Sequence, residues 1–228
     1  MNDKAVTYLT SSSSPEDWRP LLADPEKHWV RGRSAWELAY SWESAKGFPD
    51  PVRSVLDGSN VHALGGLSVV KAHPELPTAL PGGSRPSYTD LWILASNRHG
   101  TVSVGVEGKV DETFGPLVSD WDPDGSPGRR ERIGFLCDLL GFEVENVLDL
   151  RYQLLHRTAA SILEAQRHGC ETSVMLVHSF ATDHAWFDDY SMFIERLGGA
   201  PEINGVTGIG PDRYVGWVAD SPLPIETD

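Results

Sequence analysis

The chain has 228 residues, 40% of them hydrophobic, enough to bury the core of one α/β domain, and we expect a single domain over 1–228. Thirty-three acids against nineteen Lys and Arg give a net charge of −14, which argues against a generic surface for gripping nucleic acid. The start Met1-Asn2-Asp3-Lys4 lacks an apolar stretch behind it and no run is long and apolar enough to cross a bilayer, so a cytoplasmic protein without a membrane partner is expected.

Residues 1–14 read as a loose lead-in that ends in the serine run Ser11 to Ser14, and 221–228 as a short tail. Ser34 with Glu37 three residues later has the capping-box pattern and opens a helix through about Lys46. Trp36, Ala39, Tyr40 and Trp42 supply its apolar face. Val61 to Ala72 reads as a first strand, bent at Gly65-Gly66.

Sixteen residues then separate Asp90 from Glu107-Gly108-Lys109, and they form two apolar runs around Ser96-Asn97-Arg98-His99-Gly100. A turn centred between Arg98 and His99 makes Asp90 and Glu107 direct cross-strand neighbours. Directly opposed residues have Cβ atoms roughly 4.5–5.5 Å apart, and two carboxylates held there repel unless a cation lies between them. Period-2 alternation places Lys109 on the face of Glu107 and turns Val102, Val104 and Val106 to the other. Two acids and one amine therefore converge. A slip of one residue would separate them.

Asp120 to Glu131 fits the pattern of a calcium-binding EF-hand loop, with Asp120, Asp122, Asp124, Gly125 and Glu131 in place. The context is poor for calcium. Gly115-Pro116 interrupts where the entering helix belongs, and Ser126-Pro127 reads as an N-cap and first helical residue, which carries Glu131 away from the loop. An acidic surface turn is the other reading.

Tyr152, Leu155, Ala159, Ile162 and Gln166 recur at helical spacing between Arg151 and His168, and Gly169 supplies the stop. Gln153, His156 and Arg157 share the opposite face, either bordering a site or forming a solvated stripe. Arg129, Arg130, Arg132, Arg151, Arg157 and Arg167 concentrate in two adjacent helices, a basic strip that either holds phosphate or is simply solvated. Ser173 to Phe180 reads as a strand buried on both faces, with His178 a hydrogen-bonded core residue. A helix over Ala185 to Leu197 puts His184 and Asp188 at helical spacing. Gly205, Gly208 and Gly210 mark a turn-rich connection, and Tyr214 to Ala219 a last strand. Cys137 and Cys170 lie outside any zinc spacing and read as reduced structural thiols.

An acid on the second strand followed by Glu-x-Lys on the third resembles the PD-(D/E)XK superfamily of restriction-endonuclease-like nucleases. Thr89 stands where that signature has proline, and the nearest proline is Pro86. The resemblance implies an α/β core with a mixed central sheet flanked by helices, in the order helix, three strands, helix, strand, here with an added C-terminal helix and strand. It also implies that Asp90 and Glu107 hold Mg²⁺ or Mn²⁺, that Lys109 steadies the attacking water, and that Gln153 and His156 border the site. DNA or RNA would be the substrate, Glu37 or Glu43 on the first helix a candidate third acid, and a homodimer a plausible assembly.

The strings Val106-Glu107-Gly108-Lys109-Val110-Asp111, Arg151-Tyr152-Gln153-Leu154-Leu155-His156 and Met175-Leu176-Val177-His178-Ser179-Phe180 also look like an uncharacterised bacterial domain family spanning nearly the whole chain. That likeness leaves open a task other than cutting. The acidity, and the tryptophans Trp18, Trp29, Trp36 and Trp42, favour a second reading: a catalytically silent nuclease-fold module that binds a protein partner or ligand.

Overall fold

The computed structural model describes residues 12–121 and 125–222. A short 3₁₀ turn, Pro15–Leu21, precedes α1 (Pro25–His28) and α2 (Ser34–Ala45). Lys46 ends α2 in the left-handed region at φ 49°. The N-cap is Arg33; Ser34 is the first helical residue. Its N–H and hydroxyl both donate to Glu112 Oε1 at 3.1 Å, and Glu37 Oε1 accepts from the Gly32 N–H, so the expected capping box does not form. Leu38, Ala39 and Trp42 are buried, while Trp36 and Tyr40 stack on each other at 4.0 Å near the surface.

Next comes α3 (Asp50–Gly58), a helix that the sequence reading did not anticipate. Pro49-Asp50-Pro51 looks like a loop, yet proline fits the first turn of a helix, and Val52, Val55 and Leu56 bury the inner face. The first strand is displaced accordingly. Residues 62–66 are turn, and β1 runs from Ser68 to Thr78 through Pro74 and Pro77. Prolines are tolerated there because β1 is an edge strand of the sheet.

β2 (Ser87–Asn97) and β3 (Gly100–Lys109) form the hairpin with the expected register, from Leu91 opposite Val106 to Asn97 opposite Gly100. A single turn of helix, α4 (Val118–Trp121), leads toward α5 (Pro127–Leu140), which Ser126 caps by accepting from Arg129 N–H. Glu131 lies within α5, and Asp122 and Asp124 of the proposed calcium loop lie outside the described residues. α6 (Tyr152–His168) stops at Gly169, φ 66°, as read from the sequence.

β4 (Thr172–Ser179) is buried along its whole length. α7 (Phe187–Arg196) follows; His184 sits before it in a left-handed turn, so the expected helical pairing with Asp188 is absent. The glycine-rich stretch is a strand, β5 (Gly205–Gly210), paired antiparallel to β6 (Arg213–Ala219).

Among the described residues these strands form one mixed six-stranded sheet in the order β1-β2-β3-β4-β6-β5. β3 and β6 both run parallel to β4, and the other neighbours are antiparallel. α2 and α3 cover one face, against Val102, Val104, Val106, Val174 and Leu176. α5, α6 and α7 cover the other, against Met175, Val177, Val215 and Trp217. Strand alternation thus assigns Ser103, Gly105, Glu107 and Lys109 to the α6 side. Among the described residues no helix is long and apolar enough to cross a membrane.

His178 is the core histidine expected on β4. Trp42 Nε1 donates to its Nδ1 at 3.2 Å, which places the ring proton on Nε2, facing Asp220 Oδ2 at 3.0 Å. Burial holds its pKa below the usual value, against the opposing effect of Asp220. Both cysteines are buried and unpaired with each other, consistent with structural thiols.

Candidate functional site

The β2–β3 ladder ends at Leu91 opposite Val106, and one step further lie Asp90 and Glu107. There Asp90 Oδ2 accepts from Gly108 N–H at 3.0 Å, which locks the acid against the end of β3. β1 contributes a third carboxylate. Pro74 pairs with Leu91 and Leu76 with Thr89, so Glu75 falls beside Asp90, in a left-handed backbone conformation at φ 51°. The first helix does not supply it, because α2 packs on the other face, where Glu43 accepts from Trp18 Nε1 and Glu37 from Gly32.

All five residues expected at the site meet here. Lys109 Nζ lies 2.6 Å from Glu107 Oε1 and 3.2 Å from Gln153 Oε1, while Gln153 Nε2 donates to Glu107 Oε1 at 2.7 Å. His156 Nδ1 is 2.8 Å from Ser87 Oγ. Lys109 also lies over the ring of Phe114, 4.9 Å from its centroid.

Arg157, one position beyond His156 on α6, organises the rest. Its Nε donates to Glu107 Oε2, its Nη2 to Asp90 Oδ1 at 3.1 Å, and its Nη1 approaches Ser87 Oγ at 3.4 Å. A planar guanidinium with five donors in a fixed fork can reach both acids at once, which a lysine could not. Ser87 Oγ thus links Arg157 to His156 Nδ1. Burial, then Arg157, keeps His156 well below its ordinary pKa, and hence neutral at pH 7.

The charges divide accordingly. Burial works to raise Glu107, but Arg157 and Lys109 outweigh it and hold its carboxyl below the usual range. Burial and the neighbouring Glu107 push Asp90 up to about 6. Glu75, desolvated and repelled by Asp90, rises to about 8 and is mostly protonated at pH 7. Two anions, two cations and a neutral acid leave the cluster balanced.

Of the arginines gathered in α5 and α6, most serve internal contacts. Arg132 donates to the carbonyls of Leu80, Pro81 and Arg85; Arg151 pairs with Asp189, and Arg167 with Glu164. Arg129 lies over Trp121. The cluster borders an open cavity of about 800 Å³ whose lining includes Arg85, Tyr88, Phe114, Trp121, His156 and Arg157.

Sequence reasoning missed Glu75 and Ser87, and left Arg157 on a face that either borders the site or is solvated, in a strip that either holds phosphate or is solvated. The i, i+4 spacing from Gln153 to Arg157 was the available signal for Arg157, since it puts both on the face that Glu107 meets. Nothing in the local sequence marks Glu75, because two prolines disguise its strand.

No curated protein and no solved structure matches the chain. Residues 11–222 match the family described as a domain of unknown function (DUF6946), and the chain belongs to that family.

Proposed function

We propose that this domain is a nuclease-fold module of PD-(D/E)XK type that binds a ligand or partner without hydrolysing it, with Arg157 standing where such an enzyme would hold its metal. The order helix, three strands, helix, strand, with an acid on β2 and Glu-x-Lys on β3, supports the fold relation. The observation that carries the functional reading is the Arg157 bridge between Asp90 and Glu107.

Mg²⁺ takes carboxylate oxygens in octahedral geometry. Each oxygen of Asp90 and Glu107 already accepts from the protein: Arg157 and Gly108 on Asp90, Arg157, Lys109 and Gln153 on Glu107. Among the described residues no group of three His, Cys, Asp or Glu is placed to hold a metal ion. The donor set therefore does not fit a divalent ion in this arrangement. Calorimetry with Mg²⁺ and Mn²⁺ tests the reading: the wild type and Asp90→Asn should give the same small heats. Metal binding that disappears in Asp90→Asn would overturn it.

One observation favours a second reading, a Mg²⁺- or Mn²⁺-dependent phosphodiesterase acting on DNA or RNA. Glu75 and Asp90 are both pushed up, first by burial and then by a neighbouring carboxylate, so three carboxyl groups share the site with two cations. A divalent ion would relieve that repulsion if Arg157 withdrew. On this reading purified protein nicks nucleic acid with Mn²⁺, and Lys109→Ala does not.

A further inference from the structure

We propose that the cavity beside Arg157 is a binding pocket for a phosphorylated aromatic compound of mononucleotide size, taken either free or as the end of a single strand. This names the ligand of the module proposed above and rests on that reading only for the absence of hydrolysis.

Charge is the first argument. The chain carries −14, yet among the described residues that line this cavity none is an acid. Arg85 stands exposed at its edge, and its guanidinium makes no ion pair or hydrogen bond among the described residues. Arg19 and Arg196, by contrast, are paired with Glu26 and Asp149. An unmatched cation on a cavity whose described lining carries no carboxylate suits an anion.

The loop that presents Arg85 is built to hold still. Buried Arg132 reaches from α5 to the carbonyls of Pro81 and Arg85, each at 2.8 Å. Gly82, at φ 78°, lies so close to α5 that a Cβ there would come within 2.0 Å of the Gly128 carbonyl. Holding the guanidinium's backbone in place reduces the ordering cost of binding.

The donors and walls specify more than charge. His156 lines the cavity, its Nδ1 is engaged by Ser87, and its Nε2 has no hydrogen-bond partner among the described residues. In the tautomer protonated there, Nε2 can donate to a phosphate oxygen or to a ring nitrogen. Tyr88, half exposed at 50%, is the lining ring open to a ligand; Phe114 is buried under Lys109, and Trp121 and Tyr152 stack on each other at 3.9 Å in the cavity wall. The face of Tyr88 can accept a planar base by stacking.

Size and overall charge then choose among phosphorylated ligands. About 800 Å³ is the scale of a small-molecule pocket. The net charge of −14 disfavours a long duplex.

Calorimetry on the full chain without added metal tests the proposal, with AMP, adenosine, inorganic phosphate and a short single-stranded oligothymidylate as probes. AMP is expected to bind at one site, more tightly than adenosine or phosphate alone. Arg85→Ala should weaken AMP roughly tenfold, the scale of one charge-assisted hydrogen bond, and Tyr88→Ala should also weaken it. Both side chains are exposed, so both variants should fold, and Arg98→Ala serves as a distant control. Oligonucleotide binding that AMP displaces identifies a strand end as the source; AMP binding alone identifies a free nucleotide. Absence of heat with both AMP and oligonucleotide, adenosine binding as tightly as AMP, or affinity unchanged in both variants would overturn the pocket and leave the Arg157 reading standing. Conversely, Mg²⁺-dependent cleavage of the bound ligand, lost in Lys109→Ala, would overturn the non-hydrolytic reading and leave the pocket.

Discussion

Arg157 Nη2 lies 3.1 Å from Asp90 Oδ1 while its Nε holds Glu107, so the cation between the two facing acids belongs to the chain itself. Replacing it tests how much the cluster depends on that charge. Arg157→Ala leaves two buried carboxylates with Lys109 alone, and breaking a buried pair in this way costs about 3–5 kcal/mol. Urea denaturation should show that loss, and adding Glu107→Gln to the variant should recover part of it. An Arg157→Ala protein as stable as the wild type would mean that the bridge contributes nothing.

Glu75 gives the cluster a pH signature. Folding raises its pKa from 4.5 to about 8, so across that range the folded chain keeps a proton that the unfolded chain has released. Stability therefore falls as the pH climbs from about 4.5 to about 8. Glu75→Gln removes the titrating group. It should leave stability unchanged near pH 4 and raise it by roughly 1–3 kcal/mol near pH 8, read from denaturation midpoints across the series. A flat difference between variant and wild type would place Glu75 in solvent.

The seating of α6 on β3 depends on a missing side chain. A Cβ at Gly105 would come within 2.3 Å of Ser161 Oγ on α6. Gly105→Ala should destabilise the fold by about 1–3 kcal/mol, the usual range for overpacking. Combining it with Ser161→Ala removes the clashing oxygen and should restore most of the loss. Thermal melts of the two single variants and the double variant decide the point, and a harmless Gly105→Ala would show that the helix has room to shift.

On the opposite face, Trp42 Nε1 is the donor that fixes the His178 tautomer. Trp42→Phe keeps a ring but leaves a buried nitrogen without its donor, at a cost of about 1–3 kcal/mol. The ring resonances of His178 should shift in the same variant, since Nδ1 loses its donor. Unchanged resonances would count against the Trp42 contact.

The hairpin was legible in the sequence because its information is local. A short turn centred between Arg98 and His99 and flanked by apolar runs admits few registers, and a slip of one residue would turn Val102, Val104 and Val106 away from the core. That register alone put Asp90, Glu107 and Lys109 side by side. The α6 stop at Gly169 and the buried β4 were legible for the same reason, as each is marked by a nearby residue type or an unbroken apolar run. α3 and β5 were not, since a Pro-flanked segment and a glycine-rich one become regular structure only when something packs on them.

What occupies the space between the acids could not be read along the chain. The sequence by itself determined that two carboxylates and a lysine share one face, because strand alternation and a short turn leave little freedom. Only the packing of α6 against the sheet decided that Arg157, fifty positions from Glu107, reaches between them, and only the edge position of β1 brought Glu75 alongside. Both depend on where separate elements come to rest, and the metal or the arginine compete for one desolvated position that exists only after folding.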